Sequence, residues 1–454
     1  TYVTAQINAT GTIASRALGI PFEAGVWVGL ISILICSMLG GMRAVTWTQV
    51  AQYIVLIIAY LIPVFWISSN VGGGIFPHLM LGDEVARLGE LEQQFGLVKN
   101  SAADMKAAGV PGGLKYISGT HSGVPEGGMA VWKYLSLAIC MMVGTASLPH
   151  ILMRYFTTPT VRAARKSVAW SLFFIFLLYS SAPMLATLSK LALMDPNLPT
   201  GIIGKSISEV QSIEWVQRWS EVKQVFIADF NGDGILQLNE WFMRGDVVVL
   251  ATPEVAGLPF VISGLVFAGG MAAAMSTADG LVLAISNALS HDIYYKIINP
   301  KAETAKRLLV ARTLLVIIGA AGAYIASFRL TSILGSVAWA FDFAMSGLFF
   351  PLVLGVWWKR ATREGAIAGI LAGIISGTVY LTWVFPKFSV PIWGGVNTPF
   401  LGIDHLRFGL IGAPICLVVM VVVSLMTKEP SPATQKLVDD TRIPTGKAIL
   451  GKQH

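Results

Sequence analysis

Charge is what this chain has least of. Only 13% of its 454 residues are Asp, Glu, Lys or Arg, against about 25% in a soluble domain. With 54% hydrophobic residues and a mean hydropathy of +0.68, that scarcity excludes a soluble globular protein and points to a polytopic membrane protein. Cysteine is nearly missing too. Cys36, Cys140 and Cys416 all sit in apolar runs without metal-ligand spacing, so neither a disulfide framework nor a thiolate metal site is expected. No Gly-x-x-x-x-Gly-Lys-Ser/Thr run appears, no His-Glu-x-x-His and no nucleophile elbow. An ATP-driven pump or a familiar hydrolase is therefore not indicated, and the chain does not read as an enzyme. Transport driven by an ion gradient remains. The opening Thr1-Tyr-Val-Thr-Ala-Gln has neither the charged nor the apolar region of a signal peptide. It reads like the inside of a helix, so the natural N-terminus is expected upstream. The net charge of +7 would suggest nucleic acid in a soluble protein. Here it is assigned to basic cytoplasmic loops, and no nucleic-acid partner is expected.

What is present is apolar sequence in membrane-length pieces. A span of about 30 Å needs roughly 20 residues. Ten candidates lie near 1–18, 23–41, 46–69, 131–155, 165–191, 257–291, 305–327, 331–358, 364–386 and 404–427. The 257–291 segment is ~50 Å long by helical rise, and its Gly269-Gly270 pair is the expected bend. Lys and Arg gather at Arg43, at Arg154–Lys166, at Lys296–Arg307, at Lys359–Arg363, and at Lys428, Lys436 and Lys447 in the tail. These clusters alternate with 70–130, 192–256, 328–330 and 387–403. By the positive-inside rule the basic loops and the C-terminal tail are cytoplasmic and the long loops outside. The expected organisation is membrane helices over 1–69, 131–191 and 257–427. The Gly/Pro-rich loop 70–130, the loop 192–256 and the tail 428–454 lie outside the bilayer. Within 70–130, Asp83–Gln94 has the pattern of a short amphipathic helix.

Inside the apolar sequence, Gly269-Gly-Met-Ala-Ala-Ala-Met-Ser-Thr-Ala-Asp-Gly280 gathers small residues, two hydroxyls and a carboxylate. A helical carbonyl lies beside the side chains three and four residues on. The Ala273 carbonyl and the Ser276 and Thr277 hydroxyls can thus converge within one turn, a partial shell for a small hard cation. Asp279 lies on nearly the same face, and an acid in a membrane segment marks a functional site by default. The same residues also suit close helix packing, with hydroxyls bonded back to carbonyls. A second polar place is Met141-Met-Val-Gly-Thr-Ala-Ser-Leu-Pro-His-Ile151. Gly144 and Pro149 are expected to break that helix, as transporters do at their substrate sites. The half-helix after the break would offer N–H groups to a carboxylate, with Thr145, Ser147 and His150 alongside. The alternative is a proline kink with a packed histidine. Further intramembrane polar groups are Gln49, Gln52 and Asp342, the last with no partner that the sequence can name.

The loop 192–256 holds a different motif. Asp229-Phe-Asn-Gly-Asp-Gly-Ile-Leu-Gln-Leu-Asn-Glu240 matches the twelve-residue EF-hand loop. Asp229, Asn231 and Asp233 fall at positions 1, 3 and 5, Gly234 at 6, the Ile235 carbonyl at 7, Gln237 at 9 and Glu240 at 12. A structural Ca²⁺ is expected there, with the 207–219 run as entering helix. An acidic turn of the same spelling is the alternative.

Several stretches together resemble the sodium:solute symporter family, in particular its acetate/monocarboxylate permease branch. They are Gly40-Gly-Met-Arg-Ala-Val-Thr-Trp-Thr-Gln-Val-Ala-Gln52, Gly144–Thr157, Arg162-Ala-Ala-Arg-Lys-Ser167, Ala272-Ala-Ala-Met-Ser-Thr-Ala-Asp-Gly280, Ser290–Lys296 and Gly355-Val-Trp-Trp-Lys-Arg360. The resemblance covers nearly all of the chain outside its two long loops. It implies an all-α, five-plus-five inverted-repeat (LeuT-like) bundle, alternating access, Na⁺ coupling and import of an acetate- or pyruvate-like monocarboxylate across the plasma or inner membrane. The implied partners are a small organic anion, Na⁺ and the lipid bilayer, with a small accessory membrane subunit as a further one. Carried over by residue, the Ala273 carbonyl, Ser276 and Thr277 match the family's main Na⁺ site, and Gly144–His150 match the helix lining its substrate cavity. Two departures stand out. The family's first three helices have no counterpart, so the chain as given is not expected to transport alone. Where many members carry an aspartate linked to a second Na⁺ site, this sequence has Gln49, and Asp279 is the candidate to return the lost carboxylate. A symporter of a neutral sugar- or proline-like solute and a solute sensor on the same bundle are the competing readings.

Overall fold

The computed structural model describes residues 1–71, 74, 76–95, 102–110, 115–116, 128–155, 158–395 and 397–442, without the side chains of 39–44, 102–104, 115–116 and 128–130. The Arg43 side chain, much of the 70–130 loop and the tail beyond 442, with Lys447, lie outside the described residues.

In lipid every backbone N–H must bond within its own segment, which drives apolar runs into helices. Helix α1 (Tyr2–Leu18) stops at Gly19, whose φ of +64° suits a helix C-terminus. Pro21 precedes α2 (Phe22–Val71), and its carbonyl accepts the Gly25 N–H, the first bond of the helix. The 23–41 and 46–69 segments both fall within α2. Helices α3 (Pro77–Phe95) and α4 (Ala102–Ala107) follow, α3 covering the stretch with the amphipathic pattern. Next come α5 (Gly128–Ala146), α6 (Pro149–Tyr155) and α7 (Val161–Met194). Short α8 (Ile207–Ser212), α9 (Glu214–Glu221) and α10 (Val248–Val255) lead to α11 (Phe260–Asn287). The last continues as a π-helix to Ile298. Then come α12 (Thr304–Ser327), α13 (Ile333–Gly347), α14 (Phe349–Trp357) and α15 (Arg363–Val384). The chain ends through α16 (Pro386–Trp393), α17 (Gly409–Met426) and α18 (Pro432–Arg442).

Among the described residues seven helices are long and apolar enough to cross a membrane, and up to nine spans result if each of two bent pairs counts as one. The pairs are α1 with the start of α2, at 113°, and α5 with α6, at 45°. The ten expected segments shrink because 1–18 and 23–41 form one such pair. Large apolar side chains of α7, such as Leu172, Phe176 and Tyr179 at 61%, 71% and 74% exposure, would be a liability in water but suit contact with lipid tails.

The chain separates into two compact units. One comprises residues 3–124 and 173–333. Its helices α2 and α11 pack through small residues. A Cβ added at Gly269 would lie 2.5 Å from the Ala59 Cβ, and one at Gly270 would lie 3.0 Å from Leu250 and 3.1 Å from Ile13. The Gly269-Gly270 pair therefore does not break α11, as the sequence suggested; it lets neighbouring helices approach. The same unit carries a small sheet of order β1-β3-β2, with β1 (Lys115–Tyr116), β2 (Val225–Ile227) and β3 (Trp241–Met243) all antiparallel neighbours. Trp219, Trp241 and Phe242 are fully buried around it.

The other unit comprises residues 1–2, 125–172 and 334–454. Its organising feature is a column of buried glycines on α15: Gly365, Gly369, Gly373 and Gly377. Spaced four apart, they line one face of the helix. Added Cβ atoms would meet Ser424 and Met420 of α17 at the first two, and Ser346 of α13 at the third.

Candidate functional site

The predicted ion-binding turn forms within α11. Ser276 Oγ donates to the Ala273 carbonyl at 2.8 Å, and Thr277 Oγ1 lies 3.5 Å from the same oxygen. Three neutral oxygens thus share one turn of a membrane helix. Gln49, on α2, donates from Nε2 to the Ser276 carbonyl at 2.6 Å. It pins the backbone of that turn from the neighbouring helix.

Asp279 is brought elsewhere. It is fully buried, and its Oδ1 accepts the Ser37 hydroxyl of α2 at 2.7 Å, while Oδ2 has no partner among the described residues. The carboxylate is thus engaged with α2 and not with the Ser276 or Thr277 hydroxyl. Ser37 and Gln49 lie twelve residues apart on α2, about 18 Å along a straight helix, yet they meet α11 residues only about 4.5 Å apart. A cavity of about 330 Å³ in this unit reaches Ala273, lined by α2 (Leu56, Ala59, Tyr60), α7, α10 and α11 (Gly269, Gly270). Its walls are apolar except for the two tyrosines Tyr60 and Tyr179. Such walls do not suit a hydrophilic solute.

The break expected in 131–155 is present between α5 and α6. Gly144 is needed there because an added Cβ would lie 2.6 Å from both the Phe341 Cβ and its carbonyl oxygen. Thr145 bonds back to Met141 at 2.6 Å, and Ser147, buried, bonds to Val143 and Gly144. His150 is buried against Tyr2, ring centroids 5.5 Å apart. The free N–H groups expected of the half-helix are mostly missing. Helix α6 has seven residues, Pro149 has no N–H, and the Ile151 and Leu152 N–H groups both donate to Leu148.

The twelve-residue loop joins β2 to β3, so a strand enters it and not the helix expected over 207–219. That run folds as α8 and α9, interrupted at Ile213. Gly232 and Gly234 take φ of +75° and +73°, a left-handed conformation natural to glycine. Asp229 accepts the Gly232 and Gly234 N–H groups at 2.7 and 3.0 Å. Glu240, fully buried, accepts those of Phe230 and Gln237 at 2.8 and 2.9 Å. The Ile235 N–H above all holds the Asp233 carboxyl below its ordinary value; desolvation opposes it, and the Asn231 and Gln237 amides add smaller help. Among the described residues, however, no group of three or more His, Cys, Asp or Glu side chains stands close enough to hold a metal ion. The expected Ca²⁺ donors Asp229, Asn231, Asp233, Ile235, Gln237 and Glu240 share this loop, where backbone N–H groups bond to the Asp229, Asp233 and Glu240 carboxylates.

Helices long enough to span a bilayer, a broken helix lined with hydroxyls and an oxygen-rich turn within a span define a secondary transporter, not an enzyme. The chain belongs to the sodium:solute symporter family, whose defining pattern matches residues 1–207 and 247–373. The stretch 208–246, with the twelve-residue loop, falls between the matched parts. An uncharacterized symporter of Cupriavidus necator is 36% identical over 516 aligned positions, covering 97% of this chain and 74% of that protein. A monocarboxylic acid transporter of Corynebacterium glutamicum is 25% identical over 430 positions, 92% of this chain and 67% of the relative. Among solved structures, a substrate-bound, outward-open Na⁺-coupled sialic acid symporter matches with a TM-score of 0.55 at 15% identity, covering 95% of this chain and 73% of its own. That likeness speaks to the inverted-repeat fold.

Proposed function

We propose that the protein is a Na⁺-coupled symporter that imports a small monocarboxylate by alternating access. The observation that carries this reading is the α11 turn, where the Ser276 and Thr277 hydroxyls gather on the Ala273 carbonyl inside a membrane span. We assign these oxygens to Na⁺, with Gln49 fixing the turn and Asp279 supplying negative charge from the same helix. Gly144, Thr145, Ser147 and His150 at the α5–α6 break are the candidate substrate contacts. The name of the Corynebacterium relative favours a monocarboxylate over the neutral solute. The distribution of Lys and Arg favours a cytoplasmic C-terminus in a plasma or inner membrane.

Uptake of labelled acetate by cells producing the protein tests the reading. A tenfold inward Na⁺ gradient, worth about 1.4 kcal/mol, should sustain roughly tenfold accumulation if one Na⁺ enters with each anion. One Na⁺ with one monoanion moves no net charge, whereas each further Na⁺ adds about 2.3 kcal/mol per 100 mV. Accumulation that ignores Na⁺ would sink the proposal. Acetate-insensitive but Na⁺-driven uptake of a sugar or proline would favour the neutral-solute reading.

The 229–240 loop supports a second, separate reading: structural Ca²⁺ binding. The donor spacing and the left-handed Gly234 favour it. The side chains would have to exchange their backbone N–H partners for the ion. Calorimetry on the purified protein is expected to find weak binding, on the order of 10⁻⁴–10⁻³ M as in extracellular modules, and none in Glu240→Gln. No heat at millimolar Ca²⁺ would leave the loop a hydrogen-bonded turn.

A further inference from the structure

Asp342 lies on α13 inside the Ile333–Trp357 span, well away from either end. It is fully buried, and neither carboxylate oxygen has a hydrogen-bond partner among the described residues. Ser346, one turn later on the same face, is also fully buried with its hydroxyl unpartnered. Both face glycines. A Cβ added at Gly409 of α17 would lie 2.8 Å from Asp342 Oδ1, and one at Gly412 would lie 2.3 Å from Ser346 Oγ. On α15, a Cβ at Gly373 would lie 2.0 Å from the Ser346 carbonyl oxygen. The helices meet backbone to backbone around this acid.

Among the described residues no cation neutralises it. Arg407, at the entry to α17, is buried but turned to Asp404 at 2.7 Å, to the Gly402 carbonyl and to Ser136. His405 Nδ1 accepts from Trp339 Nε1 at 3.2 Å, and its ring is packed on Phe385. From α5, Cys140 presents a thiol beside Asp342, and the N–H groups of Phe408 and Gly409 at the start of α17 lie near it too, without reaching hydrogen-bond geometry. Asp404 adds only like charge.

An ionised carboxylate enclosed in this way is strongly disfavoured unless paired. A metal cation needs a shell of several oxygens, and the glycine contacts leave no room for one; the nearest neighbours are N–H and S–H groups, not oxygen donors. A proton requires neither space nor ligands. We propose that Asp342 is a proton-binding site of this protein. Its carboxylate takes one H⁺ from water when α13 and α17 part, and is buried as the neutral acid when they close as described here. It returns that H⁺ to water on reopening. The binding of the proton stands independently of the symporter reading; its effect on transport rests on that reading.

Infrared spectroscopy on the full protein in lipid nanodiscs tests the site without transport. At neutral pH a carboxylic-acid C=O stretching band is expected that is lost in Asp342→Asn and kept in Asp279→Asn. The absence of any such band, or its survival in Asp342→Asn, overturns the proposal. The melting temperature separates a purely structural role. A neutral acid is close in size and polarity to an amide, so Asp342→Asn should leave melting unchanged. An ionised Asp342 capping α17 would instead make that variant melt lower. Should Asp342→Asn fail to fold, Cys140→Ala carries the assignment, since it removes the thiol that lies beside the Asp342 carboxyl. A shifted band supports the site and an unmoved one overturns it. In uptake assays Asp342→Asn should flatten the pH dependence across the neutral range. An unchanged pH profile with the band lost would overturn the coupling to transport.

Discussion

Replacing Ser276 and Thr277 together with alanine is expected to raise the Na⁺ concentration for half-maximal uptake by on the order of 10–100-fold, the range found when a group merely supporting a metal ligand is removed. The reason lies in what the two hydroxyls do. Among the described residues each bonds only to the Ala273 carbonyl of its own helix, so neither ties α11 to a described neighbour. Alanine is also the better helix former. Stability should therefore hold while two of three oxygens at the turn disappear. Ser263→Ala is the control, because that buried hydroxyl on the same helix has no partner among the described residues. It should leave the Na⁺ dependence where it was. Equal Na⁺ dependence in the double variant and the control would remove the α11 turn from the ion site.

Gly412→Val is expected to cost about 3 kcal/mol or more of stability, beyond the usual range for overpacking because the obstructing atoms belong to backbone as well as side chain. The added Cβ would lie 2.3 Å from Ser346 Oγ and 2.7 Å from the Gly373 carbonyl oxygen. Neither α13 nor α15 can yield without moving its whole helix. Gly412→Ala should lose somewhat less, since it adds one carbon in the same place. Gly264→Ala on α11, where an added Cβ meets nothing within 4 Å, should gain up to about 1 kcal/mol from helix propensity. Thermal melting in detergent or nanodiscs orders the three. A Gly412→Val protein that melts with the parent would mean that these helices are not in close contact in the bilayer.

Local features were legible in the sequence and distant pairings were not. The convergence of Ser276 and Thr277 on Ala273 follows from helical spacing alone, and the Gly144–Pro149 break from two residues that interrupt helices. Both are decided within one or two turns. The partner of Asp279 is Ser37, 242 positions away, and no periodicity reports such a distance. Gly269 and Gly270 illustrate an ambiguity of residue type, because glycine serves equally as a hinge and as a contact surface, and only the presence of Ala59 opposite decides between them. The strand entering the 229–240 loop was hidden by the amphipathic pattern just upstream, whose helices end at Glu221 before β2 begins at Val225. Asp342 was visible as an anomaly, but the glycine packed against it, Gly409, comes from α17.

The glycine column of α15 has a thermodynamic consequence. Helices that meet through glycine have no rotamers to freeze on association, and between lipid-immersed helices there is no water-driven attraction to lose. Their cohesion rests on dispersion and Cα–H···O contacts. Neither weakens on cooling as hydrophobic burial does. The unit that holds Asp342 is thus held together by forces largely indifferent to cold.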